Sequence, residues 1–123
     1  NNNYIYLSAS FKGIAKEKAV IEKEISFLKK KKEMSQPSKI KTGGSTFKNP
    51  QNGTSMHVWK LIQKSVPLNT TFGDAAISEK HCNFLINKGN ASFKDMLKLI
   101  KFIEKNVQSK TGIKLETEIE IIE

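Results

Sequence analysis

The sequence predicts an α+β fold, a small sheet with about three helices in mixed α/β order, and two observations carry that reading. The hydrophobic period switches repeatedly between about two and about 3.6 along the 123 residues. The switches give the order strand, helix, loop, helix, two strands, helix, strand, which interleaves the two element types in one layered domain. Hydrophobic residues make up 37% of the chain, which suits one soluble globular core.

Tyr4-Ile5-Tyr6-Leu7-Ser8-Ala9-Ser10-Phe11 is rich in strand formers and alternates loosely, so a strand is expected there, broken by Gly13. From Ile14 to about Lys32 the period is helical. Ile14, Ile21, Ile25 and Leu28 share one face, and Lys and Glu fill most of the other. Lys29 to Lys32 close that helix, where cations suit the negative end of its dipole. Met34-Ser35-Gln36-Pro37-Ser38 is a breaker and a plausible domain boundary. Asn52-Gly53 signals a turn, and Thr54 or Ser55 is positioned to cap a helix carrying Val58, Trp59, Leu61 and Ile62. Trp59 is expected in the core, and Pro67 ends the helix. Gly73 to Ser78 and Asn83 to Asn87 read as two short strands joined by the polar Glu79-Lys80-His81-Cys82.

Ser92-Phe93-Lys94-Asp95 opens the clearest helix, with Ser92 as N-cap and Asp95 in a capping-box place. Phe93, Met96, Leu97, Ile100, Ile103 and Val107 form its core face, and Gly112 is the expected C-cap. Leu115 to Ile122 then alternates strictly and reads as a strand. Leu115, Thr117, Ile119 and Ile121 face one way, and Glu116, Glu118 and Glu120 the other. Three glutamates on one strand face ordinarily form a solvated face.

The stretch from Lys41 to Pro50 shows neither period. Gly43-Gly44 allows positive φ and a close backbone approach, and Ser45, Lys48 and Asn49 add donors nearby. It reads as an irregular loop, either a plain connection or a binding loop. It lacks the spacing of a nucleotide P-loop.

The formal charge is +9, and every basic residue is Lys. Residues 1–50 hold 11 Lys against 4 Glu, so the excess lies in the first helix and the glycine loop. A stand-alone basic domain binding nucleic acid or another polyanion is the alternative this charge raises. The lack of Arg removes the fork that reads guanine or clamps phosphate, so no nucleic-acid partner is expected. No apolar run is long enough to span a bilayer, so no membrane partner is expected either. One cysteine, Cys82, forms no internal disulfide and fits a reducing cytoplasm; with His57 and His81 it is too little for a zinc site. Cys82 is expected to be a small buried residue, not a nucleophile. The opening Asn-Asn-Asn-Tyr carries no signal-peptide pattern and reads as part of a longer chain.

Several separated blocks then fall into register. They are Gln36-Pro37, Gly44-Ser45-Thr46-Phe47-Lys48-Asn49-Pro50, Trp59-Lys60-Leu61-Ile62, Ile77 to Asn87, Gly89-Asn90-Ala91 and Gly112 to Ile119. In that order and spacing the chain resembles the C-terminal part of the UDP-N-acetylenolpyruvoylglucosamine reductase family, also called UDP-N-acetylmuramate dehydrogenases. The resemblance implies a cytoplasmic flavoenzyme of peptidoglycan precursor synthesis that uses NADPH to reduce FAD and then reduces an enolpyruvyl UDP-sugar. It implies three segments: 1–33 as the last strand and helix of the FAD-binding domain, 34–112 as the UDP-sugar domain, and 113–123 as the strand returning to the N-terminal body.

By the same resemblance Ser45 matches the proton donor and Glu118 the glutamate that stabilises the intermediate. Alternation alone does not choose Glu118 over Glu116 or Glu120. Asn49 matches an amide on the substrate diphosphate, with Lys48 beside it, and His81 matches a contact to the UDP portion or is a plain loop imidazole. Lys32 and its neighbours are candidates for a lysine on the diphosphate. Glu120 stands where the family usually has arginine. The flavin-binding domains are the expected partners of this segment, which alone is expected neither to turn over nor to hold FAD. The apolar stripe of the first helix is expected to self-associate or to pack on the chain's own sheet.

Overall fold

Four short antiparallel strands make one sheet in the order β1-β4-β3-β2, in a computed structural model that describes residues 5–51 and 53–122. The strands are β1 (Lys41–Ser45), β2 (Thr71–Phe72), β3 (Ala75–Ile77) and β4 (Phe84–Asn87), and the helices are α1 (Lys18–Ser35), α2 (Val58–Ser65) and α3 (Phe93–Thr111). The class is α+β, as the periodicity predicts. Tyr4, Asn52 and Glu123, which the sequence places in a strand start, a turn and the tail, lie outside the described residues.

The pleat decides which side chains meet the helices. Ile77 pairs with Leu85 in register, and both enter the core; Ala76 pairs with Ile86 on the opposite face. α2 and α3 pack on each other, and α3 lies on β2 and β3. Val58, Leu61 and Ile62 of α2 meet Leu99, Ile100, Ile103 and Val107 of α3 in one apolar cluster with Phe47 and Leu115. Burying such side chains contributes roughly 1.5–3 kcal/mol each.

Two elements differ from expectation at turns. The strand expected over residues 73–78 is a hairpin, β2 and β3, with Gly73-Asp74 as its two-residue turn. Gly73 has φ +53°, and a Cβ there would stand 2.9 Å from the Asp95 carboxylate. Asp74 in turn accepts from Asn90 N–H at 2.7 Å, tying the hairpin to the start of α3. The stretch from Lys41, expected to be an irregular loop, begins as edge strand β1. Thr42 pairs with Ile86 and Ser45 with Phe84, so a bulge absorbs one residue at Gly43-Gly44, where Gly44 has φ +88°. Glycines carry no strand signal of their own; β4 imposes the pairing.

The N-terminal expectations are corrected more strongly. Residues 5–11 form no strand, and Ile5, Tyr6, Leu7 and Phe11 are exposed. Strand propensity acts through pairing and packing, and no strand among the described residues pairs with this stretch. α1 starts at Lys18, not Ile14, and buries none of its residues. Its Ile21, Ile25 and Leu28 stripe is therefore open, and the expected packing on the chain's own sheet does not form. Surface pairs Lys16–Glu24 and Lys18–Glu22 decorate it, and each adds little stability.

The tail shows the expected alternation without the expected strand. Leu115 is buried, Thr117, Ile119 and Ile121 are half-buried, and Glu116, Glu118 and Glu120 are exposed. Its ladder is one bridge, Phe47 to Thr117.

The caps of α3 are as predicted. Ser92 Oγ accepts from Asp95 N–H, the Asp95 carboxylate accepts from Ser92 N–H at 3.0 Å and from Ser92 Oγ–H at 2.7 Å, and Gly112 ends the helix in the left-handed region. The Ser92 side-chain hydrogen bond, then its backbone one, holds the Asp95 carboxyl below its ordinary range. A carboxyl depressed in the folded state adds stability above its unfolded pKa and loses it as pH falls through the folded value. We expect thermal melts of the chain to show this acid-dependent component, and Asp95→Asn to abolish it. Ser92→Ala lowers stability by about 1 kcal/mol at neutral pH; an unchanged melting temperature would contradict the capping role.

Candidate active site

Phe47 is the most deeply placed residue of the former glycine loop, 1% exposed. Its backbone faces two directions. On one side Lys48 N–H donates to Glu116 C=O at 2.9 Å and Glu118 N–H donates to Thr46 C=O at 2.8 Å. These two bonds flank the Phe47–Thr117 bridge, so Phe47's own N–H and C=O point away from the tail. There Asn83 meets them. Phe47 N–H donates to Asn83 Oδ1 at 3.0 Å, and Asn83 Nδ2–H donates to Phe47 C=O at 2.9 Å. Thr46 N–H adds a third bond, to Asn83 C=O at 2.8 Å. Asn83 itself is 4% exposed.

This arrangement brings the two sequence-predicted catalytic residues to adjoining backbone. Ser45 ends β1, one residue before Thr46, and Glu118 is bonded to Thr46. Gly43 lies beside the tail, where a Cβ would make an ordinary contact with Ile119 at 3.7 Å.

Lys48 and Asn49 lie on the other side of the bridge, in a cleft of about 430 Å³ lined also by Gln51, Gly112, Lys114 and Glu116. Neither Ser45 nor Glu118 lines that cleft. The Lys48 ammonium pairs with Glu116 on the exposed rim. Asn49 plays a structural part, because its Oδ1 accepts from Val58 N–H at 3.0 Å and so caps α2. Neither Thr54 nor Ser55, the expected caps, does this; the N-cap residue is His57, which makes no side-chain cap bond. The Asn49 Oδ1 is occupied by the cap, and the amide's other end carries the donors available to a ligand.

His81 stands apart from both groups. It lines a second cleft, of about 300 Å³, with Trp59, Gln63, Ser78 and Cys82. Its Nδ1 accepts from Asn83 N–H at 3.3 Å, and its ring meets Phe84 edge-on at 5.1 Å between centroids. Trp59 is half-buried at this cleft and packs against the core from its margin. Cys82 is buried, and its Sγ–H donates to Trp59 C=O at 3.0 Å. Desolvation pushes its thiol above the ordinary range, as suits a packing residue.

Asn83 is the residue that sequence reasoning misses. It stands first in a run of strand formers and looks like an ordinary strand start. The available signal is a lone polar residue ahead of Phe84-Leu85-Ile86, a position whose burial demands a hydrogen-bond partner.

Residues 36–122 match the family described as UDP-N-acetylenolpyruvoylglucosamine reductase, C-terminal domain. A UDP-N-acetylenolpyruvoylglucosamine reductase from Pelagibacter ubique is 62% identical over 118 residues, which are 96% of this chain and 39% of that protein. One from Clostridium botulinum is 43% identical over 120 residues, 98% of this chain and 38% of that protein. The crystal structure of the reductase from Thermus caldophilus superposes with a TM-score of 0.65 at 32% identity, over 85% of this chain and 35% of that one. The chain thus spans about two fifths of the length of the curated relatives it matches. Among the described residues no helix is long and apolar enough to cross a membrane.

Asn49→Ala removes the cap of α2 and lowers stability by about 1 kcal/mol, whereas Asn49→Asp keeps the acceptor and holds it. Equal melting temperatures for the two variants would refute the cap. Ellman's reagent labels Cys82 at least about 100-fold more slowly in the folded chain than in guanidinium; labelling at the free-thiol rate would show an open Cys82.

Proposed function

This chain belongs to the UDP-N-acetylenolpyruvoylglucosamine reductase family, as its C-terminal domain, and we propose that it is the UDP-sugar-binding part of a cytoplasmic reductase of peptidoglycan precursor synthesis. The substrate is the enolpyruvyl ether of UDP-N-acetylglucosamine, and the product is UDP-N-acetylmuramate. The observation that carries this reading is the placement of Ser45 and Glu118 on adjoining backbone, tied through Thr46.

The chemistry needs a proton at the carbon next to the substrate carboxylate once hydride has added to the neighbouring carbon. A serine hydroxyl is a weak acid and serves only where it is held on the reacting atom. Ser45 sits on a strand end fixed by pairing to Phe84 and followed at once by the Asn83 bonds, so its backbone has little freedom. Glu118 stands beside the enolate-like intermediate and stabilises it. Asn49 donors bind the diphosphate, with Lys48 exchanging Glu116 for phosphate oxygens, and His81 contacts the UDP portion from its own cleft.

The flavin is another matter. The cleft of about 430 Å³ at Lys48, Asn49, Lys114 and Glu116 is assigned here to the substrate diphosphate, not to the flavin. FAD, reduced by NADPH, belongs in this proposal to the domains that precede the chain. Residues 1–33 are then the end of that FAD-binding body, 34–112 the substrate domain and 113–123 the returning segment. The open stripe of α1 and the family match beginning at residue 36 support that division.

In the flavin-bearing protein that carries this chain, Ser45→Ala leaves flavin reduction by NADPH intact and slows product formation by about 10²–10⁴-fold. Turnover within about twofold of wild type would sink the proton-donor assignment.

A further inference from the structure

We infer that Asn83 is a positioning residue, one that sets the place of Ser45 relative to Glu118 by acting as a side-chain substitute for a missing strand. β4 runs from Phe84, so no β4 backbone remains opposite Phe47. The amide of Asn83 supplies the donor and the acceptor that an antiparallel neighbour would have supplied. Its main-chain carbonyl takes the preceding N–H, that of Thr46. Three bonds from one 4%-exposed residue therefore hold the three consecutive peptide units from Ser45 to Lys48. Thr46 is the shared member: its N–H is held by Asn83, and its C=O holds Glu118. A shift of Phe47 moves Ser45 along the chain and Glu118 across it, and misplacement of reacting groups by about 1 Å costs about 100-fold in rate. Asn83 acts through these two residues and touches no reacting atom itself.

The inference rests on the proposed reductase reading, and the test separates the two. Asn83→Asp keeps the acceptor for Phe47 N–H and replaces the donor to Phe47 C=O with a carboxylate oxygen. In the full flavin-bearing protein, flavin reduction by NADPH and formation of the protonated product from the enolpyruvyl UDP-sugar are followed separately, for Asn83→Asp, Ser45→Ala and the double variant. Asn83→Asp leaves flavin reduction unchanged and slows product formation at least about tenfold per flavin. In the Ser45→Ala background the same change costs little further, because the group it positions is gone. Equal multiplicative losses in both backgrounds, or product formation at the wild-type rate, would overturn the positioning role while Ser45→Ala alone still upholds the reductase reading. If Ser45→Ala leaves product formation untouched, the proton-donor assignment of Ser45 fails and the inference falls with it. Should Asn83→Asp not fold, Asn83→Ser is measured in the same two backgrounds and the same results decide.

Discussion

The hydrogen bonds between the Asn83 amide and the Phe47 backbone are the constraint that the rest of the site depends on. Phe47 is buried in the core with Leu115 and the apolar faces of α2 and α3. Its N–H and C=O are carried in with the ring, and a buried backbone group without a partner costs about 1–3 kcal/mol. Sheet pairing ends at Ser45 and Phe84, so the ladder itself supplies no partner there. The asparagine lets a strand end, turn and still leave its neighbour satisfied. Everything around the site then follows: β1 is anchored at its end, the tail docks on the outer side of Phe47, and Asn49 arrives where α2 needs a cap.

The molecule divides into a larger part that packs and a smaller part that does not. From Gln36 onward α2, α3, β2, β3 and β4 contribute to one core, while α1 and the stretch before it keep Ile5, Leu7, Phe11, Ile14 and Leu28 exposed. Among the described residues a side-chain bond joins the two parts, the Lys80 ammonium donating to Glu33 C=O at 2.7 Å near the end of α1. A single exposed bond of that kind adds little rigidity.

What is legible in the sequence is whatever depends on local chemistry. The Ser92–Asp95 box and the Gly112 cap can be read from a few residues, and so can the alternating burial of the tail. The resemblance in the Ser45 to Asn49 motif names candidate site residues, though not the path of the chain through them. Pairing over distance cannot be read in this way. Thr42-Gly43-Gly44 becomes a strand because β4 lies beside it, and Tyr6-Leu7 does not because no described strand does. The cap of α2 comes from Asn49, nine residues away and beyond the usual capping window, so Thr54 and Ser55 are the natural candidates from sequence. Asn83 clamps a residue 36 positions earlier, a link no window of sequence displays.

The thinness of the tail's attachment has a consequence for its breathing. Beyond the buried Leu115, two backbone bonds, the exposed Lys48–Glu116 pair and the half-buried Ile119 and Ile121 hold it, against the full ladder and core that hold the sheet. Segments with few buried contacts open locally at a free energy far below that of global unfolding. The Glu118 amide, bonded to Thr46, lies in that lightly held segment, whereas Ser45 lies in a strand of the sheet. Amide exchange at Glu118 is then expected to outpace exchange within β4, and a ligand bridging the two segments would slow it.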